Sequence, residues 1–132
     1  MINSIFVNLP VKSLKASVDF FSELGFNFNP QFTDETSTCM LVGDNIYVML
    51  LEHAKFQGFI SKPIAAPDTT EAILAFGLDS ADEVRAMTSK ALELGARKLN
   101  EPEDMGFMFS WGFEDLDGHL WDLFWMNPNH VE

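Results

Sequence analysis

A chain of 132 residues, 47% hydrophobic and 21% charged, has the size and make-up of one globular domain. Eight Lys and Arg against 20 Asp and Glu leave a net charge of −12, which excludes a nucleic-acid partner, because phosphate contacts need a basic face. The single cysteine, Cys39, excludes an intrachain disulfide and fits a reducing compartment.

In chain order, residues 2–9 (I-N-S-I-F-V-N-L) read as a strand ended by Pro10. Ser13 then caps a helix whose apolar positions are Leu14, Val18, Phe21 and Leu24, with Phe20 beside them, and Gly25 stops it. Extended segments follow at about 26–33, 36–42 and 45–52, the last two joined by a tight turn at Gly43-Asp44-Asn45. Cys39, between Thr38 and Met40, reads as a small buried residue and not as a nucleophile. Residues 53–60 predict a short helix. Residues 61–70, with Pro63 and Pro67, predict an irregular connection.

The pattern then restarts. Residues 71–78 read as a strand, and Ser80 with Glu83 forms a capping box for a helix striped by Val84, Met87, Ala91 and Leu94 and ended by Gly95. Strands are expected at about 97–100, 107–114 and 119–126, with a turn at Asp117-Gly118. Leu24-Gly25 lies over Leu94-Gly95, and Gly43-Asp44-Asn45 over Leu116-Asp117-Gly118. The expected fold class is therefore α+β. Two tandem βαβββ modules (1–60 and 71–132, linked by 61–70) form curved half-barrel sheets around a shared cavity. Residues 1–66 carry four basic and six acidic side chains; residues 67–132 carry four and fourteen. Such a field either solvates a surface or draws a cationic ligand.

Two segments carry a family resemblance. V-N-L-P-V-K-S-L-K-A-S-V-D-F-F-S-E-L-G-F (7–26) resembles the opening strand and helix of the vicinal oxygen chelate superfamily, the glyoxalase, bleomycin-resistance and extradiol-dioxygenase relatives. F-E-D-L-D-G-H-L-W-D-L-F (113–124) resembles its closing signature. Metal-using members of that superfamily take one ligand from the first and the fourth strand of each half, usually His, Glu or Gln. Carried over, those positions fall on Phe6, Met49, Ile73 and Asp122. Phe and Ile have no donor atom, and the thioether of Met suits soft ions, so no metal is expected. Glu52, His53 and His119 are the other candidate donors, and His130 is placed in the tail.

Strand alternation puts Leu120, Asp122 and Phe124 on one face, with Trp121, Leu123 and Trp125 on the other. Phe6 and Asn8 share a face on the first strand. The expected ligand-binding set is Phe6, Asn8, Met49, Leu120, Asp122 and Phe124. For G-F-M-F-S-W-G-F (106–113), the alternation leaves open which side meets a ligand. Asp122 has two readings: a catalytic base or amine anchor with a raised pKa, or a carboxylate hydrogen-bonded to a neighbouring strand or to Tyr47. Three functions follow: a metal-independent binder of an apolar or cationic small molecule; a metal-dependent lyase, isomerase or dioxygenase with a non-standard divalent site; or a non-catalytic interaction module. The resemblance implies a homodimer under all three. The N-terminus lacks a basic then apolar leader, and no apolar run reaches the roughly 18 residues of a membrane span, so the expected location is cytoplasmic.

Overall fold

The structure, a computed structural model, describes residues 1–129. The chain divides into two compact units, Met1–Ala66 and Pro67–Glu132. His130 lies outside the described residues.

In the first unit, strand β1 (Ile5–Val11) leads into helix α1 (Leu14–Glu23). Ser13 Oγ accepts the Ala16 amide at 3.2 Å. At the other end, Gly25 N–H donates to Ser22 O and Phe26 N–H to Phe21 O, with Gly25 at φ +101°. This paired closure needs a left-handed residue just past the helix, which glycine supplies without strain. Strands β2 (Asn27–Asn29), β3 (Ser37–Gly43) and β4 (Ile46–Glu52) follow, and helix α2 (His53–Gln57) ends the regular part. The sheet order is β1-β4-β3-β2, with β1 and β4 parallel and the other pairs antiparallel. Alternate residues Leu9, Val11, Met40, Val48 and Leu50 are buried, as are Leu14, Phe20 and Phe21 of α1.

The second unit repeats the plan. It runs β5 (Ile73–Gly77), α3 (Ala81–Glu93), β6 (Arg97–Lys98), β7 (Glu103–Asp104), β8 (Met108–Glu114) and β9 (Leu120–Met126). Its order is β5-β9-β8-β6, with β5 and β9 parallel and β7 also on β8. Gly95 closes α3 as Gly25 closes α1, through Ala96 N–H to Ala91 O and Gly95 N–H to Leu92 O. Val84, Thr88 and Ala91 of α3 are buried, as are Leu74, Phe109, Phe113, Trp121 and Leu123 of the strands. α3 packs on β8 and β9. Both units are thus mixed sheets with few helices, and neither sheet closes into a barrel.

The structure corrects several sequence expectations. Strand β1 does not stop at Pro10 but runs to Val11. Pro10 is tolerated because β1 is an edge strand of its sheet, where a missing N–H can face away from the ladder. The extended segment expected over 26–33 breaks at Pro30 into a 3₁₀ turn, Pro30–Phe32, with Asn29 Oδ1 accepting the Gln31 amide at 2.9 Å. The apolar stripes are shifted: Val18 and Met87 are half-buried, while Ser17 and Thr88 are buried. Thr88 holds its place by donating its hydroxyl to Trp111 O at 2.9 Å.

The strand expected over 97–100 is only two residues long, and β7 was not expected at all. Between them the edge of β8 is served by a side chain. Asn100 Oδ1 accepts the Gly112 amide at 3.1 Å, and Asn100 O accepts Trp111 Nε1 at 3.1 Å. One asparagine therefore bridges the gap in a broken edge strand, ahead of Pro102, which has no N–H to give a ladder.

Candidate functional site

The two faces of each sheet differ in what covers them. In the first unit, Phe6, Asn8, Tyr47 and Met49 all point away from the face that carries Leu9, Val48 and Leu50. Phe6 pairs with Tyr47 and Asn8 with Met49 across the parallel β1–β4 ladder. The Phe6 and Tyr47 rings stack at 4.5 Å and 18°. Asn8 Nδ2 donates to Phe6 O at 3.2 Å.

In the second unit, Leu120, Asp122 and Phe124 share the face away from Trp121 and Leu123, which are fully buried with α3. Their ladder partners on β5 are Ile73, Ala75 and Gly77, and on β8 Glu114, Gly112 and Ser110. This answers the question left open for 106–113. Phe109 and Phe113 are buried on the helix side, so the face around Asp122 gets Ser110, Gly112 and Glu114 instead of aromatics. Phe109 and Phe113 are core, while Phe107 and Trp111 are half-buried.

Asp122 is the chemical feature of that face. Ala75 and Gly112 flank it, the two smallest side chains available, and Leu120 and Phe124 lie above and below along the strand. Its Oδ1 is buried and has no hydrogen-bond partner among the described residues. The alternative of a bond to a neighbouring strand or to Tyr47 is therefore not what that oxygen does. Burial pushes the Asp122 carboxyl above the ordinary range, and the negative charge of Glu103 adds to the rise. Glu103, on β7, sits opposite Ser110, two residues along β8 from Gly112.

A raised carboxyl has a stability signature. The folded state holds the proton more tightly than the unfolded chain, so the favourable contribution is complete below the ordinary carboxylate range and is lost as pH rises through the raised value. Asp122→Asn, which carries no charge at any pH, should therefore gain on the wild type as pH rises. We expect about 1 kcal/mol in favour of the variant at neutral pH, the scale of one unmet buried acceptor. Paired urea melts at pH 4 and pH 7.5 check this; a difference that does not change with pH contradicts it.

The other candidate donors are dispersed or engaged. Glu52 Oε2 accepts the Leu14 amide at 2.9 Å and so caps α1. His53 is exposed at the start of α2 in the first unit. His119 belongs to the second unit, where its amide donates to Asp115 Oδ1 at 3.0 Å. Among the described residues no three His, Cys, Asp or Glu side chains converge on a point. Burial pushes the Cys39 thiol up, away from the thiolate form a nucleophile needs.

Asp115 is the residue that the sequence reading missed. It is 5% exposed. Its Oδ1 accepts the amides of Asp117 (2.9 Å) and His119 (3.0 Å), and Oδ2 accepts Trp121 Nε1 at 2.9 Å. Burial raises its pKa, opposed by the charge of His119 and by these N–H donors. The signal was present: an Asp two residues before Asp-Gly is an Asx-turn anchor. By holding the β8–β9 turn and the indole of Trp121, it sets where β9 begins, and with it Asp122.

The fold is shared with known proteins. Residues 3–43 match the family described as bleomycin resistance protein-like N-terminal. No curated protein matches the sequence. Hypothetical protein SA1046 from S. aureus has a similar structure, with TM-score 0.80, 27% identity and 94% of each chain covered. A glyoxalase-related enzyme from Fulvimarina pelagi has TM-score 0.78 at 17% identity, covering 95% of this chain and 88% of that one. The bleomycin resistance determinant encoded on the transposon Tn5 has TM-score 0.61 at 18% identity, covering 95% and 98%.

Proposed function

We propose that the chain is a member of the vicinal oxygen chelate superfamily, with the glyoxalase, bleomycin resistance and dioxygenase proteins, and that it binds a small apolar or cationic molecule without a metal ion. One observation carries the reading. Between Leu120 and Phe124 on its strand, Asp122 holds a buried oxygen that no group among the described residues satisfies. An unmet buried acceptor costs about 1–3 kcal/mol, so a ligand that brings an N–H donor to it gains that contribution on binding. Leu120, Phe124 and Ile73 give the donor an apolar surround, in which a charged hydrogen bond is stronger than in water. Glu103 adds negative charge nearby and so favours an ammonium over a neutral donor.

The donor set argues against a divalent ion. The positions where the superfamily takes its ligands hold Phe6, Met49, Ile73 and Asp122. One carboxylate and one thioether, in two different units, do not meet the oxygen and imidazole requirement of Mg, Ni, Zn or Fe(II). The resemblance extends the proposal to a homodimer, which sedimentation measures directly. No helix among the described residues is long and apolar enough to cross a membrane.

The test uses a matched pair of probes, cyclohexylmethylamine and cyclohexylmethanol, with elemental analysis of the purified protein. The amine should raise the melting temperature, the alcohol should not, and Asp122→Asn should remove the shift. At a hundredfold excess over its dissociation constant the amine stabilises by about 2.7 kcal/mol. One divalent ion per chain, lost in Asp122→Ala, would overturn the proposal in favour of a metal-dependent lyase, isomerase or dioxygenase.

A further inference from the structure

The first sheet carries, at the exposed Phe6 end of the face opposite Leu9, Val48 and Leu50, a feature that the Asp122 reading does not use. Phe6 and Tyr47 are ladder partners on β1 and β4, and their rings lie 4.5 Å apart and nearly parallel, at 18°. Phe6 remains 49% exposed, and Leu41, the partner of Tyr47 on β3, remains 39% exposed. A row of Phe6, Tyr47 and Leu41 therefore crosses three strands with accessible apolar surface at both ends. The contrast with other ring pairs is informative. Phe20–Phe21 and Phe21–Phe26 meet edge-on around the buried Phe21, and the stacked pair Phe113–Trp121 is entirely buried. Those pairs are core packing; the Phe6–Tyr47 stack presents ring surface to solvent.

We infer that the Phe6–Tyr47 stack is a binding platform for a planar aromatic molecule that carries no negative charge. Offset stacking rewards flatness, since a third ring placed on Phe6 continues a geometry already set. Both rings stand on hydrogen-bonded strands and not on loops, so little ordering is left to do on binding. Charge selects further. The net charge of −12 repels anions, and an exposed ring face attracts cations. Asn8, two residues along β1, donates its Nδ2 to Phe6 O, which leaves Oδ1 as the acceptor for an N–H on the ligand's rim. The platform rests on the reading that this chain binds a small molecule, but not on Asp122.

Fluorescence titration of the whole chain tests it, with thioflavin T as a planar cation, acridine at mildly alkaline pH as a planar neutral ring, and pyrenesulfonate as a planar anion. Thioflavin T and acridine should saturate, with the anion at least tenfold weaker. Phe6→Leu and Tyr47→Leu should each weaken both rings at least tenfold, while Phe6→Tyr retains them. Circular dichroism of each variant establishes that the sheet is intact. Ring binding unchanged in both leucine variants, absent in the wild type, or equally tight for the anion overturns the platform. Binding of cyclohexylmethylamine that is lost in Asp122→Asn and kept in Phe6→Leu, beside no ring binding, would sink the platform and leave the carboxylate reading standing.

Discussion

Asp115→Ala should lower stability by about 4 kcal/mol, the largest effect expected of any single polar substitution in this chain. The substitution removes the acceptor for three N–H groups at once: the amides of Asp117 and His119 and the indole of Trp121. Each buried donor left without a partner costs about 1–3 kcal/mol, and the three share one carboxylate, so their costs add incompletely. Asp115→Asn separates the parts. Its remaining oxygen can serve the two amides, but its NH2 group then meets the Trp121 N–H, donor against donor. About 2 kcal/mol is expected for it. Urea denaturation followed by tryptophan fluorescence measures both, because Trp121 is the buried reporter of the same network. A loss below about 1 kcal/mol for the alanine variant would show that the turn holds itself without the carboxylate.

Gly112→Ala should cost about 3 kcal/mol, at the upper end for inserting one methyl group into a packed site. A Cβ there would lie 2.4 Å from Trp121 O and 3.0 Å from Leu99 Cδ2. The leucine end can move, but the carbonyl belongs to the backbone of β9 and cannot move alone. Relief requires β8 and β9 to part at the Gly112–Asp122 pair, next to the candidate anchor. Binding of cyclohexylmethylamine should therefore fall together with stability in Gly112→Ala. In Ser80→Ala, a loss of about 1 kcal/mol from the Ser80–Glu83 cap should leave binding unchanged. Equal effects of the two variants on binding would separate Gly112 from the site.

Much of the fold was legible because its signals are local. Ser13 and Ser80 accept amides three residues on, and Gly25 and Gly95 sit at positive φ just past their helices. Such features depend on neighbours within one turn of chain, so a sequence displays them directly. The repeat was legible for the same reason, each unit being punctuated by the same caps and turns. What sequence could not show were the long-range partners. Asn100 substitutes a side chain for a missing strand, and nothing around Asn100 names Gly112 as its partner. Alternation in 106–113 gave two sets of residues but not their directions, because Met108 and Phe109 are both apolar enough for either face.

The candidate site divides along the same line. The sequence by itself determined the chemistry: one carboxylate at Asp122, no donor at Phe6 or Ile73, a thioether at Met49, and an acidic chain that disfavours anions. These are properties of residue identity and survive any folding. Only the tertiary structure decided how that chemistry is surrounded. It left Asp122 Oδ1 buried with no partner among the described residues, bound Glu52 to the start of α1, buried Phe109 and Phe113 on the side of α3, and stacked Phe6 on Tyr47 with Phe6 half exposed. The physical reason is that burial and pairing belong to strand neighbours far apart in the chain. Asp122 Oδ1 is a candidate anchor because the strands beside it present Ala75 and Gly112 and no N–H group among the described residues reaches it.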